Sequence, residues 1–324
     1  MYFNKNNNFF HGIMFHHFHD NKKHPSSQGS INKEEFNKII NFIGRKNILD
    51  ADIFFEKFQN KKLKEREVCI TFDHGMKCQI DIAVPVLEDH KIKSFFFPHT
   101  SIFEGTLDLE VFRYFRTNFF ENMDEFYKSF YEVFDQNLTT FFKNHTQEID
   151  ETKKKFPFYS YEDIKFRLVR DKILTQKSYE KIMILMISAK KINHEELHKK
   201  INFQKDDLIN INNLGHLIGL HTHSHPTLLE KLSYDEQKKE YKKNLSIIAN
   251  ILDKPKSEIQ YMSHPSGSYN DDTLKILKEL GVELGFKQIM SIEPKKGMKK
   301  INNSSLEISR EDHATIIKKI LYKN

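Results

Sequence analysis

Two short apolar runs fix most of what this chain can become. "EVCITF" (67–72) and "KSFFFPH" (93–99) are dense in β-branched and aromatic residues, the composition of strands buried on both faces. Between them "QIDIAVPVLEDH" (79–90) is long enough for a helix, with Pro85 near its first turns, where a missing N–H costs least. Strand, helix and strand at this spacing predict a parallel pair with the helix outside the sheet. The same alternation is legible upstream. "HGIMFHHFH" (11–19) predicts a first strand with Ile13, Phe15, His17 and His19 on one face. "SINKEEFNKIINFIG" (30–44) predicts a helix capped by Asn32, with Glu35 three residues on and Gly44 as its stop.

From Leu107 to Asp206 the alternation is lost. Phe112, Phe115, Phe119, Met123, Phe126, Phe130 and Phe134 recur at steps of three and four, one face of a helix. Strand and helix then return. "HLIGLHT" (216–222) and "IQYMSH" (259–264) read as strands, "SYDE" from Ser233 as a capping box, and Asn270 as the cap of a helix ending at Gly281. "GFKQ" and "LEIS" supply the last strands. The expected organisation is one α/β domain in two parts, 1–106 and 207–324, carrying a helical insertion at 107–206.

The charge balance excludes some function classes. Basic residues outnumber acidic ones by 51 to 45, but only seven are Arg, and the Lys residues are scattered. A nucleic-acid footprint should be clustered and richer in Arg, so no nucleic-acid partner is expected. Cys69 and Cys78 are too few for a disulfide framework and read as reduced thiols. "MYFNKNNNFFHG" has no basic segment followed by an apolar one, and no apolar run reaches the roughly 18 residues of a membrane span. The longest, "IMILMIS" (182–188), reads as a core helix. A cytoplasmic protein without a transmembrane segment is expected.

The chemistry concentrates at strand ends. "TFDHG" (71–75) leaves Asp73 and His74 at the end of a buried run, where polar groups are costly unless paired. In "GLHTHSHPT" (219–227), His221 and His225 are four apart at another strand end. Two imidazoles at that spacing can face one point, and His74 would complete a three-nitrogen set with a position left open. Asp73, beside a ligand but not itself one, is then placed to take a proton from water.

These residues resemble the polysaccharide deacetylases, the NodB-homology proteins of carbohydrate esterase family 4. "TFDHG", "HTHSH" and "HPSGSYN" (264–270) follow the order and approximate spacing of that family's first three motifs, Thr-Phe-Asp-Asp-Gly, His-Ser/Thr-x-x-His and Arg-x-Pro-Tyr/Phe-Gly. The resemblance covers roughly residues 11–105 and 206–324. It implies an α/β fold, a distorted and incomplete (β/α) barrel. It implies Asp73 as catalytic base and His74, His221 and His225 as ligands of one divalent metal ion, with zinc the expected one. Pro265, Ser266 and Gly267 would form the substrate-binding turn, with the Ser266 N–H as oxyanion donor. His313 falls near the family's late His and would be the general acid, with His17 and His19 as rivals. The implied reaction removes an N-acetyl group from an amino sugar. With no export signal read, the expected substrate is a nucleotide-linked or lipid-linked precursor of surface polysaccharide.

The sequence departs from the pattern at three points. His74 stands where the family has a second Asp, Ser263 where it has Arg, and Ser266 where it has an aromatic residue. Arg310 in "EISREDH" is the available substitute for the missing guanidinium. These departures keep two other readings open: hydrolysis of a non-sugar amide or formamide, and a catalytically silent carbohydrate-binding protein that retains the fold.

Overall fold

The computed structural model describes residues 10–155 and 159–321. The N-terminal stretch read above for a leader falls largely outside them. The chain divides into two compact units, one formed by Met1–Glu104 with Asn202–Asn324, the other by Gly105–Ile201.

The first unit is built on parallel strands. β1 (His11–Phe15), β2 (Val68–His74), β3 (Phe95–Pro98) and β4 (Leu217–Ile218) are joined by β7 (Arg310–Asp312) in the order β4-β3-β2-β1-β7. β5 (Tyr261–Ser263) and β6 (Leu284–Phe286) form a second parallel pair. Among the described residues, the two sheets meet at single bridges, Leu220 with Met262 and Phe286 with Ile308. Those thin seams make the barrel distorted and incomplete. "HLIGLHT" accordingly contributes only two residues of regular strand, and the first strand stops at Phe15 rather than His19.

Side-chain alternation along β2 sorts the core into an outside and an inside. Val68, Ile70 and Phe72 join the large apolar cluster with helix Lys33–Ile43, through Phe36, Ile39, Ile40 and Ile43. Cys69 faces the other way, into a smaller cluster with Phe95, Phe97, Tyr261, Leu284 and Phe286. Thr71 and Asp73 continue that inner row, so the polar end of β2 lies inside the barrel mouth. Helix starts follow local chemistry. Asn32 and Glu35 form the expected capping box, Ser233 and Glu236 open helix Tyr234–Leu252 the same way, and Asn270 caps Asp271–Glu279.

The second unit is all helical and has its own core of Phe112, Phe115, Phe126, Phe130, Phe166 and Met183 among others. The aromatic face expected over 112–134 is two helices, Leu109–Asn118 and Met123–Phe134. Asn122 N-caps the second helix, accepting a hydrogen bond from Glu125 N–H, and this local bond outcompetes continuity across the apolar period.

One glycine is fixed by close approach. Gly12 on β1 pairs with Cys69 on one side and Arg310 on the other. A Cβ there would lie 3.0 Å from Arg310 Cγ and 3.2 Å from the Phe286 ring. Gly12→Val should therefore destabilise the protein by about 1–3 kcal/mol through overpacking. Urea unfolding measures it, and unchanged stability would show that the Arg310 stem yields freely.

Candidate active site

Asp73 lies at the inner end of β2 and is 2% exposed. Its carboxylate accepts two hydrogen bonds from Arg310, Nη1 to Oδ1 and Nη2 to Oδ2, both at 2.7 Å. Two further guanidinium donors are used as well, Nε to the Lys287 carbonyl at 2.9 Å and Nη1 to Thr71 Oγ1 at 3.2 Å. Burial by itself would raise the Asp73 pKa. The Arg310 charge and hydrogen bonds, with His221 and His16, overcome that and hold the carboxyl well below its usual range. Asp73 is thus kept ionised inside the protein. The sequence names Arg310 only as an available guanidinium; the structure shows it gripping Asp73.

His74, His221 and His225 converge beside this pair, each offering a nitrogen within 4.8 Å of the others. Two strand ends bring them together, and the backbone is bent to do so. His74 and Gly75 both have positive φ after β2, and Thr222 and His225 do so after β4. Left-handed backbone is disfavoured for residues with a Cβ, and such positions collect at functional sites. The His221 Nδ1–H donates to the Ser263 carbonyl at 2.9 Å, which turns the Nε2 lone pair toward the cluster. That Nε2 is buried and has no hydrogen-bond partner among the described residues. Burial, then the neighbouring His225 and His74, push the His221 pKa well down despite the opposing pull of Asp73, so the imidazole stays neutral. A neutral, buried lone pair facing two further imidazoles fits a divalent transition metal.

Pro265–Gly267 form a tight turn directly after β5, whose Ser263 carbonyl receives the His221 hydrogen bond. Ser266 has φ +52° and is exposed. His223 points away from the triad, with Nδ1 3.0 Å from Thr100 Oγ1 and Nε2 3.4 Å from Glu104. His264 stacks on Tyr269, and one ring nitrogen bonds the Leu306 carbonyl. His313 stands apart from the triad, at the start of helix His313–Leu321. It stacks on Phe15, with Nδ1 on the Met14 carbonyl and Nε2 on the Gly29 carbonyl. His19 bonds Ser30 Oγ.

Two site residues escape the sequence reading. His16 Nε2 lies 3.7 Å from Asp73 Oδ2, and its ring is 4.8 Å from that of His74. Burial, reinforced by His74, holds its pKa well below the usual histidine range. Extending β1 to His19 puts His16 on the opposite face from His17; ending it at Phe15 frees His16 to turn into the mouth. Gln79, buried in a π-helical turn at Gln79–Ala83, donates to the backbone carbonyls of both His16 and Asp73, at 3.0 and 2.8 Å. Its amide holds the two segments together. The only sequence signal for it is its distance of six residues from Asp73.

A family profile for polysaccharide deacetylase matches residues 60–285, more than half of the chain. The chain belongs to the polysaccharide deacetylase family. No curated protein sequence matches it. Among solved structures, IcaB from Ammonifex degensii aligns with a TM-score of 0.54 and 14% identity, over 96% of this chain and 96% of that one. A de-N-acetylase from Aggregatibacter actinomycetemcomitans aligns with a TM-score of 0.54 and 11% identity, over 95% of this chain and 98% of that one. The Streptococcus pyogenes deacetylase PplD, solved with acetate, gives 0.53 and 16%, over 94% and 91%. At these identities the likeness is one of fold, and it agrees with the distorted barrel expected from the motifs.

Arg310→Met would leave the Asp73 carboxylate buried and unpaired, and should cost about 3–5 kcal/mol of stability in urea unfolding. Adding Asp73→Asn should restore part of that loss, because the uncompensated charge is then gone. Additive losses in the double variant would mean that the two groups do not couple.

Proposed function

We propose that this deacetylase family member is a metal-dependent hydrolase that removes the N-acetyl group of an amino sugar carried on a nucleotide or lipid, a cytoplasmic precursor of surface polysaccharide. The observation supporting it most is the convergence of His74, His221 and His225 beside the ionised Asp73–Arg310 pair at one end of the parallel strands. The three histidines would hold one divalent ion, zinc by the chemistry of an all-imidazole set. Bound there, the ion would supply Lewis acidity, drawing the pKa of water toward neutrality and polarising the acetyl carbonyl.

The rest of the reaction belongs to the chain. Asp73 takes the proton of the attacking water, and the bidentate grip of Arg310 aims the carboxylate for that transfer. The Ser266 N–H, presented by the Pro265–Gly267 turn, donates to the oxyanion of the tetrahedral intermediate. The leaving nitrogen needs a proton as the C–N bond breaks to give amine and acetate. His16, within 3.7 Å of Asp73 and beside His74, would pass on to it the proton that Asp73 took from the water. Both ring nitrogens of His313 face backbone carbonyls, which leaves no N–H directed at a substrate.

Elemental analysis and deacetylation of N-acetylated nucleotide-sugars and lipid-linked sugars test this together. Wild type should carry about one zinc per chain and His221→Ala none. Asp73→Asn should retain the metal and lose turnover by about two to four orders of magnitude, the share of a general base. Wild type that takes up no divalent metal would instead favour a silent binding protein. A metal-loaded protein active only on non-sugar amides would move the reading to another substrate class.

A further inference from the structure

The loop carrying His221 and His225 cannot hold its shape alone. Between its two histidines it places Thr222 at φ +63°, and it ends with His225 at φ +53°, both left-handed and both with a Cβ. Backbone of this kind persists only where surrounding structure over-determines it. Here the surrounding structure is one face of helix Tyr234–Leu252.

Gln237, Glu240 and Asn244 are spaced three and four apart, so they line one side of that helix. Glu240 Oε2 accepts the backbone N–H groups of His223 at 3.0 Å and Ser224 at 2.7 Å, and its Oε1 accepts the Ser224 hydroxyl at 2.9 Å. Asn244, fully buried, accepts the His221 N–H at 2.9 Å through Oδ1. Its amide nitrogen donates to the Pro98 carbonyl and to Thr100 Oγ1, tying the loop to the end of β3. Gln237, also fully buried, accepts from Thr273 Oγ1 at 2.5 Å and donates to the Leu232 carbonyl. Thr273 belongs to the N-terminal capping box of helix Asp271–Glu279, which opens just beyond the Pro265–Gly267 turn. A single helical face thus grips the chain on both sides of β5.

We infer that Glu240 and Asn244 are positioning residues that preorganise His221 and His225 for the metal, with Glu240 acting through hydrogen bonds and not through its charge. The inference rests on the metal reading of the histidine triad. Substitution distinguishes the two modes of action. Gln at 240 could accept both backbone N–H groups on its single oxygen and donate its NH₂ to Ser224 Oγ, whereas Ala can do neither.

The test is zinc affinity, by chelator competition, on wild type, Glu240→Gln, Glu240→Ala and Asn244→Ala, with the thermal midpoint of each metal-free protein. Glu240→Ala and Asn244→Ala should weaken zinc by about 10–100-fold, the scale of groups that orient metal ligands. Glu240→Gln should stay within about threefold of wild type on the same scale. Unchanged zinc affinity in Glu240→Ala with a lowered thermal midpoint would overturn the inference and leave Glu240 purely structural. Glu240→Gln as weak as Glu240→Ala would overturn it in favour of charge. Wild type without zinc affinity fails the metal reading itself, a distinct result.

Discussion

The buried ion pair between Asp73 and Arg310 sets the terms for the rest of the barrel interior. Removing two charges from water costs several kcal/mol per ion, so such a pair is tolerable only with good geometry and with its remaining donors satisfied. Both conditions depend on strand order. β7 lies against β1, and β1 against β2, so Arg310 starts level with Gly12 and Cys69 and reaches across β1 to Asp73. Gly12 gives the stem room, Thr71 meets the guanidinium halfway, and the Lys287 carbonyl takes the Nε donor. A different neighbour for β1 would strand the carboxylate.

That arrangement explains why the third motif can lose its arginine. Ser263 occupies the position where the family pattern has Arg, and the guanidinium arrives from β7, the last strand among the described residues. Pairing the buried Asp73 carboxylate is a requirement of space and charge, and position in the sequence is secondary to it. The same reasoning applies to His16 and Gln79. His16 is adjacent to Asp73 because β1 and β2 run parallel and in register, their pairing reaching Phe15 and Phe72, and Gln79 on the turn after β2 bonds the backbone of both.

Period and capping made much of the barrel legible. Asn32, Ser233 and Asn270 begin helices where their side chains can accept the first free N–H groups, and the apolar runs around Val68 and Phe95 became central strands. The histidine spacing likewise placed the triad's members at strand ends. What escaped was set by tertiary contact. β1 ends after Phe15, and no local signal separates "MF" from "HHFH" when every second residue still looks buried. Asn122 broke the aromatic face because one cap bond outweighs the continuity of an apolar stripe. Arg310 could be named but not placed, since its partner is reached through two strand pairings.

The substitution at His74 changes what holds the proposed ion in place. An aspartate there would add a negative charge to the donor set; three neutral imidazoles add none. Asp73 makes up only part of the difference, because Arg310 offsets its charge at 2.7 Å. Coulombic attraction would therefore contribute less to retention at this site than with a carboxylate ligand, and more of the affinity would come from donor strength and preorganisation. The hydrogen bonds that fix the imidazoles carry more of the burden than they would around a carboxylate. The Ser263 carbonyl sets the His221 tautomer, Asn244 fixes its backbone, and Glu240 pins the two residues that follow Thr222. An all-histidine site of this kind trades long-range attraction for local rigidity, and that rigidity is built into the helix behind it.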